Sequence, residues 1–135
     1  MIGILVVSHS ADAARGIAEI ARGMAVAGDD IPIVGVGGND DGGLGVSVAK
    51  IADALTEMLP KCEGILIVPD LGSSILSSRA AVGMLSGEEA AKIVIVDAPV
   101  LEGAMMAAVE ASTGSDLQSV VKVAEVAKNL IKIDH

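Results

Sequence analysis

The chain has 135 residues, of which 52% are hydrophobic, so it fits one domain spanning 1–135 and is long enough to close a single core. It contains no Phe, Trp or Tyr, which argues against the ring platforms that flavin, sugar and stacked-base sites lean on. A net charge of −9 without a basic cluster, and a single cysteine, Cys62, argue against a nucleic-acid partner and exclude an internal disulfide or a multi-thiolate metal site.

The first element is a nearly continuous apolar run, Ile2–Val7, which stops at Ser8-His9-Ser10. Such a run reads as a strand covered on both faces. Ile17, Ile20, Ala21 and Met24 then recur on one face of a helix. A second strand, Ile33–Val36, leads into a glycine-rich loop through Gly45, and Val48, Ile51, Ala52, Leu55 and Leu59 mark the next helix. The third strand, Gly64–Val68, runs into Pro69-Asp70-Leu71-Gly72-Ser73-Ser74, followed by a helical pattern of Ile75, Leu76, Arg79, Ala80 and Met84. Lys92–Val96 is the fourth strand. Leu101–Ala111 and Asp116–Ile131 read as two closing helices, with Ser115 and Asp116 as caps for the second. No apolar stretch reaches membrane-spanning length and no secretion signal opens the chain, so a cytoplasmic protein with no membrane partner is expected.

This alternation predicts an α/β fold: a doubly wound parallel sheet of strand order 2-1-3-4 with helices on both faces. The switch point then falls between the first and third strands. His9 and Asp70 end those two strands and face each other across the crevice where open α/β sheets bind ligands.

A carboxylate beside an imidazole can accept a hydrogen bond from one ring nitrogen, fix the tautomer and leave the other nitrogen nucleophilic. Gly72, Ser73 and Ser74 offer amides and hydroxyls at a helix start, an anion site. Nucleophile, orienter and anion cradle together describe a phosphohistidine site. Each piece also has a plainer reading: His9 as a helix cap, Asp70 as a turn residue and Ser73 as a cap. The glycine loop lacks the Gly-Lys-Ser/Thr of a P-loop, and His9 has no second ligand at metal-binding spacing, so neither a nucleotide site nor a metal is expected on this chain.

Three segments, Ile4-Leu5-Val6-Val7-Ser8-His9-Ser10, Asp70-Leu71-Gly72-Ser73-Ser74-Ile75-Leu76-Ser77 and Ala98-Pro99-Val100-Leu101-Glu102-Gly103-Ala104, closely resemble the phosphoryl-donor subunits of phosphotransferase-dependent dihydroxyacetone kinases. Those subunits are similar to the mannose-type IIA domains of the sugar phosphotransferase system. The resemblance implies that His9 accepts a phosphoryl group as a tele-phosphohistidine from a histidine-containing phosphocarrier protein, itself charged by Enzyme I. The group then passes to ADP on an ADP-binding kinase subunit, and a dihydroxyacetone-binding subunit supplies the final acceptor.

It implies Asp70 as orienter, with Ser10, Gly45, Gly72, Ser73 and Ser74 as phosphate contacts. It places no cofactor on this chain, and magnesium with ADP or ATP on the partner subunit. A place in glycerol metabolism and a homodimer follow too, the latter using Ala104-Met105-Met106-Ala107-Ala108 as small, adaptable apolar contacts. Where the family often has Gly-Thr, this chain has Gly45-Val46 and lacks a hydroxyl. Some members carry phosphocarrier domains after this one; with the chain ending at 135, a separate donor protein is expected. The competing readings are a mannose-type IIA component of a sugar transporter and a non-catalytic regulatory module in which His9 is structural.

Overall fold

Four parallel strands, β1 (Ile2–Ser8), β2 (Ile33–Gly37), β3 (Gly64–Pro69) and β4 (Ile93–Ile95), form one sheet in the order β2-β1-β3-β4. The computed structural model describes residues 1–25 and 30–134; residues 26–29 and His135 lie outside the described residues. Among the described residues six α-helices connect and cover the strands: α1 (Ala11–Met24), α2 (Val48–Met58), α3 (Gly72–Gly83), α4 (Gly87–Ala90), α5 (Val100–Ser112) and α6 (Leu117–Val126). Strand order and helix placement are those expected of a doubly wound sheet.

β1 is buried along its whole length. Successive side chains of a strand alternate between faces, and the core divides accordingly. Ile2, Ile4 and Val6 join Leu66 and Val68 beneath α1, α5 and α6, while Leu5 and Val7 join Ile65 and Ile67 beneath α2 and α3. Pro60 ends α2 at Met58 because its ring cannot continue the helix, and Leu59–Lys61 form a single 3₁₀ turn.

Several elements differ from their sequence pattern. On α1 the buried residues are Ala14, Ala18 and Ala21, whereas Ile20 and Met24 are exposed. On α3 the buried residues are Ser74, Ser78 and Ala81, and Leu76, Arg79 and Ala80, with Met84 just past the helix end, face solvent. α1 lies close on β2, so the side chains that fit beneath it are small: Ala21 and Ile17 of the expected face pack on the core, while Ile20 and Met24 fall outside it. α6 stops at Val126 and a 3₁₀ turn follows over Ala127–Asn129. The apolar period continues through Ile131, but that side chain is 81% exposed and has nothing to pack on. The short helix α4 was not apparent from periodicity; Ser86 and Glu89 form a capping box around it. Ala104, Ala107 and Ala108 are fully buried in the core under α1 and α6, while Met105 and Met106 of the same stretch are half-buried.

Two glycines set how closely α1 can lie on β2. A Cβ at Gly35 would stand 2.3 Å from the Ala14 carbonyl oxygen, and one at Gly37 would stand 2.4 Å from that of Ser10. The obstructing atoms are backbone, so the helix itself would have to move. Gly35→Ala is therefore expected to lower stability by roughly 1–3 kcal/mol, seen as a reduced urea midpoint with an unchanged m-value. A midpoint equal to that of the parent protein would show that α1 can slide without cost.

Candidate active site

His9 is the single residue between the end of β1 and Ser10, which caps α1 by accepting the Ala13 N–H at 3.2 Å. The cap is thus Ser10, and the His9 side chain is left for other work. Both backbone groups of His9 are held: its N–H donates to Asp70 Oδ2 at 3.1 Å, and its carbonyl accepts the Gly45 N–H at 2.9 Å. Gly45 takes φ +143°, which favours glycine at that point of the loop.

Asp70 arrives from the neighbouring strand. β3 pairs with β1 so that Pro69 stands beside Val7, and the Asp70 N–H donates to the Val7 carbonyl at 2.9 Å. Its Oδ1 lies 3.0 Å from His9 Nδ1, accepts the Ser74 hydroxyl at 2.5 Å and accepts the Leu71 N–H at 2.6 Å. Burial pushes the Asp70 carboxyl up, but hydrogen bonds from the Ser74 hydroxyl, the His9 N–H, the Ser8 hydroxyl and the His9 ring outweigh it and hold the group at about 2. Near neutral pH the carboxylate is ionised and can only accept, so Nδ1 carries the proton and Nε2 presents its lone pair. Ser74 Oγ also lies 3.3 Å from Nδ1.

Nε2 points to the start of α3, where Ser73 Oγ lies 2.5 Å away. The N-cap of that helix is Leu71, which offers no side-chain acceptor. The first amides of any helix lack partners within it, and those of Gly72 and Ser73 belong to the same helix start as the Ser73 hydroxyl that meets Nε2. Ser73 and Gly72 are exposed, while Ser74 is fully buried. The imidazole is 29% exposed and lies at an open surface; a recess of about 630 Å³ opens at the other end of the sheet, by Pro32, Val34 and Glu57.

The structure therefore brings His9, Asp70, Ser73, Ser74 and Gly72 together and sorts them into layers. Ser73 and Gly72 can meet an anion on Nε2. Ser74 reaches Asp70 from below, Gly45 holds the His9 backbone through its amide, and the Ser10 oxygen is engaged as a helix cap. Sequence reasoning missed Asn39, whose side chain organises the glycine loop that carries Gly45. The signal was an Asn two residues before the Asp41 amide that it accepts, the pattern of an Asx-turn.

A family model described as "PTS system fructose IIA component" matches residues 3–121. The chain is similar to the Listeria innocua protein named PEP-dependent dihydroxyacetone kinase 2, phosphoryl donor subunit DhaM, at 37% identity over 122 residues, covering 90% of this chain and 95% of that one. It is 33% identical over 123 residues to the Escherichia coli K12 PEP-dependent dihydroxyacetone kinase, phosphoryl donor subunit DhaM. The match covers 90% of this chain but only 26% of that relative, so the chain spans about a quarter of its length. A crystal structure of a protein of unknown function superposes with a TM-score of 0.81 at 36% identity, covering 92% of each chain.

Because Asp70 titrates lower in the folded protein than in the unfolded chain, its contribution to stability is complete above about pH 4 and fades as pH falls towards 2. The shift corresponds to roughly 2 kcal/mol. Asp70→Asn should therefore be less stable than the parent at pH 7, and the gap should narrow between pH 4 and pH 2. Urea unfolding at stepped pH measures this, and a gap independent of pH would mean that the ionised carboxylate is not what stabilises the site.

Proposed function

The chain belongs to the family of phosphotransferase-system IIA components, and from that premise we propose that it is the phosphohistidine carrier subunit of a dihydroxyacetone kinase. The observation that carries the reading is the His9 imidazole, held through Nδ1 by Asp70 with Nε2 turned to the Ser73 hydroxyl at the exposed start of α3. The relatives named as phosphoryl donor subunits support the choice of kinase over sugar transport.

In this reading the domain spans 1–135 and works in the cytoplasm; among the described residues no helix is long and apolar enough to cross a membrane. A histidine-containing phosphocarrier protein, charged by Enzyme I, brings a phosphoryl group on its own imidazole. The Nε2 lone pair of His9 attacks the phosphorus in line, a new N–P bond forms, and the donor nitrogen leaves with its bonding pair. No proton needs to cross to Asp70: Nδ1 keeps its hydrogen, and the carboxylate offsets the positive charge that develops on the ring. Ser73 must turn its hydroxyl away from Nε2, and that hydroxyl with the Gly72 and Ser73 amides then meets the phosphoryl oxygens.

The second transfer goes to ADP on the nucleotide-binding kinase subunit, which brings magnesium with it, and a dihydroxyacetone-binding subunit completes the assembly. A homodimer belongs to this reading, supported by the family resemblance and by large apolar side chains left in solvent, Leu76 on α3 and Met84 just past its end among them.

His9→Ala should fold normally, because the side chain stands past the strand end, and should lose all acid-labile phosphate. Circular dichroism together with labelling from phosphoenolpyruvate, Enzyme I and phosphocarrier tests both halves, and label retained in the variant would remove His9 from the reaction. Purified phosphoprotein should form ATP when given the ADP-loaded subunit but not when given free ADP with magnesium. The amides of Asp41, Gly42, Gly43 and Gly45 are all taken up by hydrogen bonds within the protein, so the glycine loop has little to hold a diphosphate, and positioning supplies most of the catalysis in phosphoryl transfer. Fast ATP formation from free ADP would reveal a nucleotide site on this chain.

A further inference from the structure

The apolar run of β1 ends in a hydroxyl that is not on the surface. Ser8 is 3% exposed, and a buried hydroxyl without a partner is costly. Its Oγ accepts the Ser10 N–H at 3.2 Å, so the side chain closes a turn that has His9 at its centre. β1 passes into α1 through this bend. On its other side the bend lies against β2: a Cβ at Gly37 would stand 2.4 Å from the Ser10 carbonyl oxygen and 2.7 Å from that of Ser8.

The hydrogen of the Ser8 hydroxyl has a second partner. Val7 stands beside Pro69, so Ser8 and Asp70 come next on neighbouring parallel strands, at the same level of the sheet. The Asp70 carboxylate accepts the Ser8 hydroxyl, along with the His9 N–H at 3.1 Å. Among the described residues the buried polar side chains are Ser8, Ser47, Ser74 and Ser78, and two of these four, Ser8 and Ser74, converge on this one carboxylate. Ser78 shows the contrast: its buried hydroxyl has no partner at all.

We infer that Ser8 is a positioning residue for phosphoryl transfer: its oxygen holds the bend that carries His9, and its hydrogen holds the carboxylate that orients the ring. Backbone and orienter are thereby fixed to each other through one atom. The inference rests on the phosphohistidine reading above and gives Ser8 no contact with the phosphoryl group. Nε2 is nucleophilic only while Nδ1 keeps its hydrogen, and Nδ1 keeps it while the carboxylate faces it. The Ser74 hydroxyl and the Leu71 N–H draw Asp70 towards α3. Ser8 and the His9 N–H are the donors on the β1 side that hold it against that pull. Alanine at position 8 would leave the bend backed by Gly37 and by the strand pairing, so the fold survives while both hydrogen bonds of the hydroxyl are lost.

The test compares the full-length parent with Ser8→Ala, Ser8→Cys and Ser8→Thr. Cysteine keeps the shape but bonds weakly, whereas threonine keeps the hydroxyl. One readout is the rate of phosphate uptake from phosphoramidate, a small donor that acts on the imidazole without a protein partner. The other is the nitrogen NMR spectrum of the His9 ring at mildly alkaline pH, which separates the Nδ1–H form from the Nε2–H form and does not respond to a loss of global stability. Ser8→Ala and Ser8→Cys should take up phosphate more slowly by about tenfold or more and show a mixture of the two ring forms, while Ser8→Thr restores most of the rate and the parent spectrum. Uptake at the parent rate in Ser8→Ala or Ser8→Cys overturns the inference. So does slow uptake with the parent spectrum, or a folded Ser8→Thr no faster than Ser8→Ala, since either makes Ser8 a packing residue only. A parent protein that accepts from neither phosphoramidate nor the charged phosphocarrier would instead overturn the functional reading, an outcome that no Ser8 variant can produce.

Discussion

Asp70 binds His9 twice, accepting the backbone N–H with one carboxylate oxygen and facing the ring nitrogen Nδ1 with the other. One side chain thereby fixes where the residue sits and how its ring is turned. That grip requires β1 and β3 to be neighbours with Val7 beside Pro69, which the crossover order of the sheet secures. Moving the register by one residue would carry the carboxylate to the other face of the sheet. The two-sided core, with alternate β1 residues locked beneath opposite helix layers, is what makes such a slip expensive. The chemistry at the carboxyl edge is in this sense held by packing at the centre.

Much of this was legible in the residues because buried parallel strands are continuously apolar and stop abruptly. Ser8-His9-Ser10 and Pro69-Asp70-Leu71 stand out as the points where two such runs end. The helix faces were harder. α1 buries alanines and α3 buries Ser74, Ser78 and Ala81, so hydrophobic period favoured residues that in fact lie in solvent. Ile131 extends the period of α6 beyond the surface against which it can pack. The layering of the site was hidden for a related reason: Ser73 and Ser74 are chemically identical and adjacent, and only the helical turn sends one to Nε2 and the other beneath Asp70. Nothing in composition distinguishes the Gly45 amide, which serves His9, from the glycine amides that serve the loop.

The buried hydroxyl of Ser74 has a physical task that its neighbour does not share. A carboxylate with several good donors costs less to keep ionised in a partly buried position than a bare one. Ser74 gives Asp70 a donor that is itself fully enclosed and so cannot drift away. The carboxylate stays charged and keeps its hold on the imidazole, although burial alone would push its titration up.

A carrier must use one atom twice, receiving on it and giving from it, with different partners above it each time. The arrangement around His9 divides along that line. Asp70, Ser74 and the Gly45 amide fix the ring and backbone from within, where neither partner reaches. Ser73 and the first amides of α3 lie on the exposed side, and the hydroxyl of Ser73, bonded to Nε2 at 2.5 Å, has only a rotation about one bond between blocking the nitrogen and meeting a phosphoryl oxygen. On the proposed reading, Nε2 can therefore keep one geometry through both transfers while the adaptable part adjusts to each. Holding the reacting atom rigid while leaving its surroundings free to close suits a group that must be as easily released as it was taken up, because neither direction then requires the protein to reorganise around the nitrogen itself.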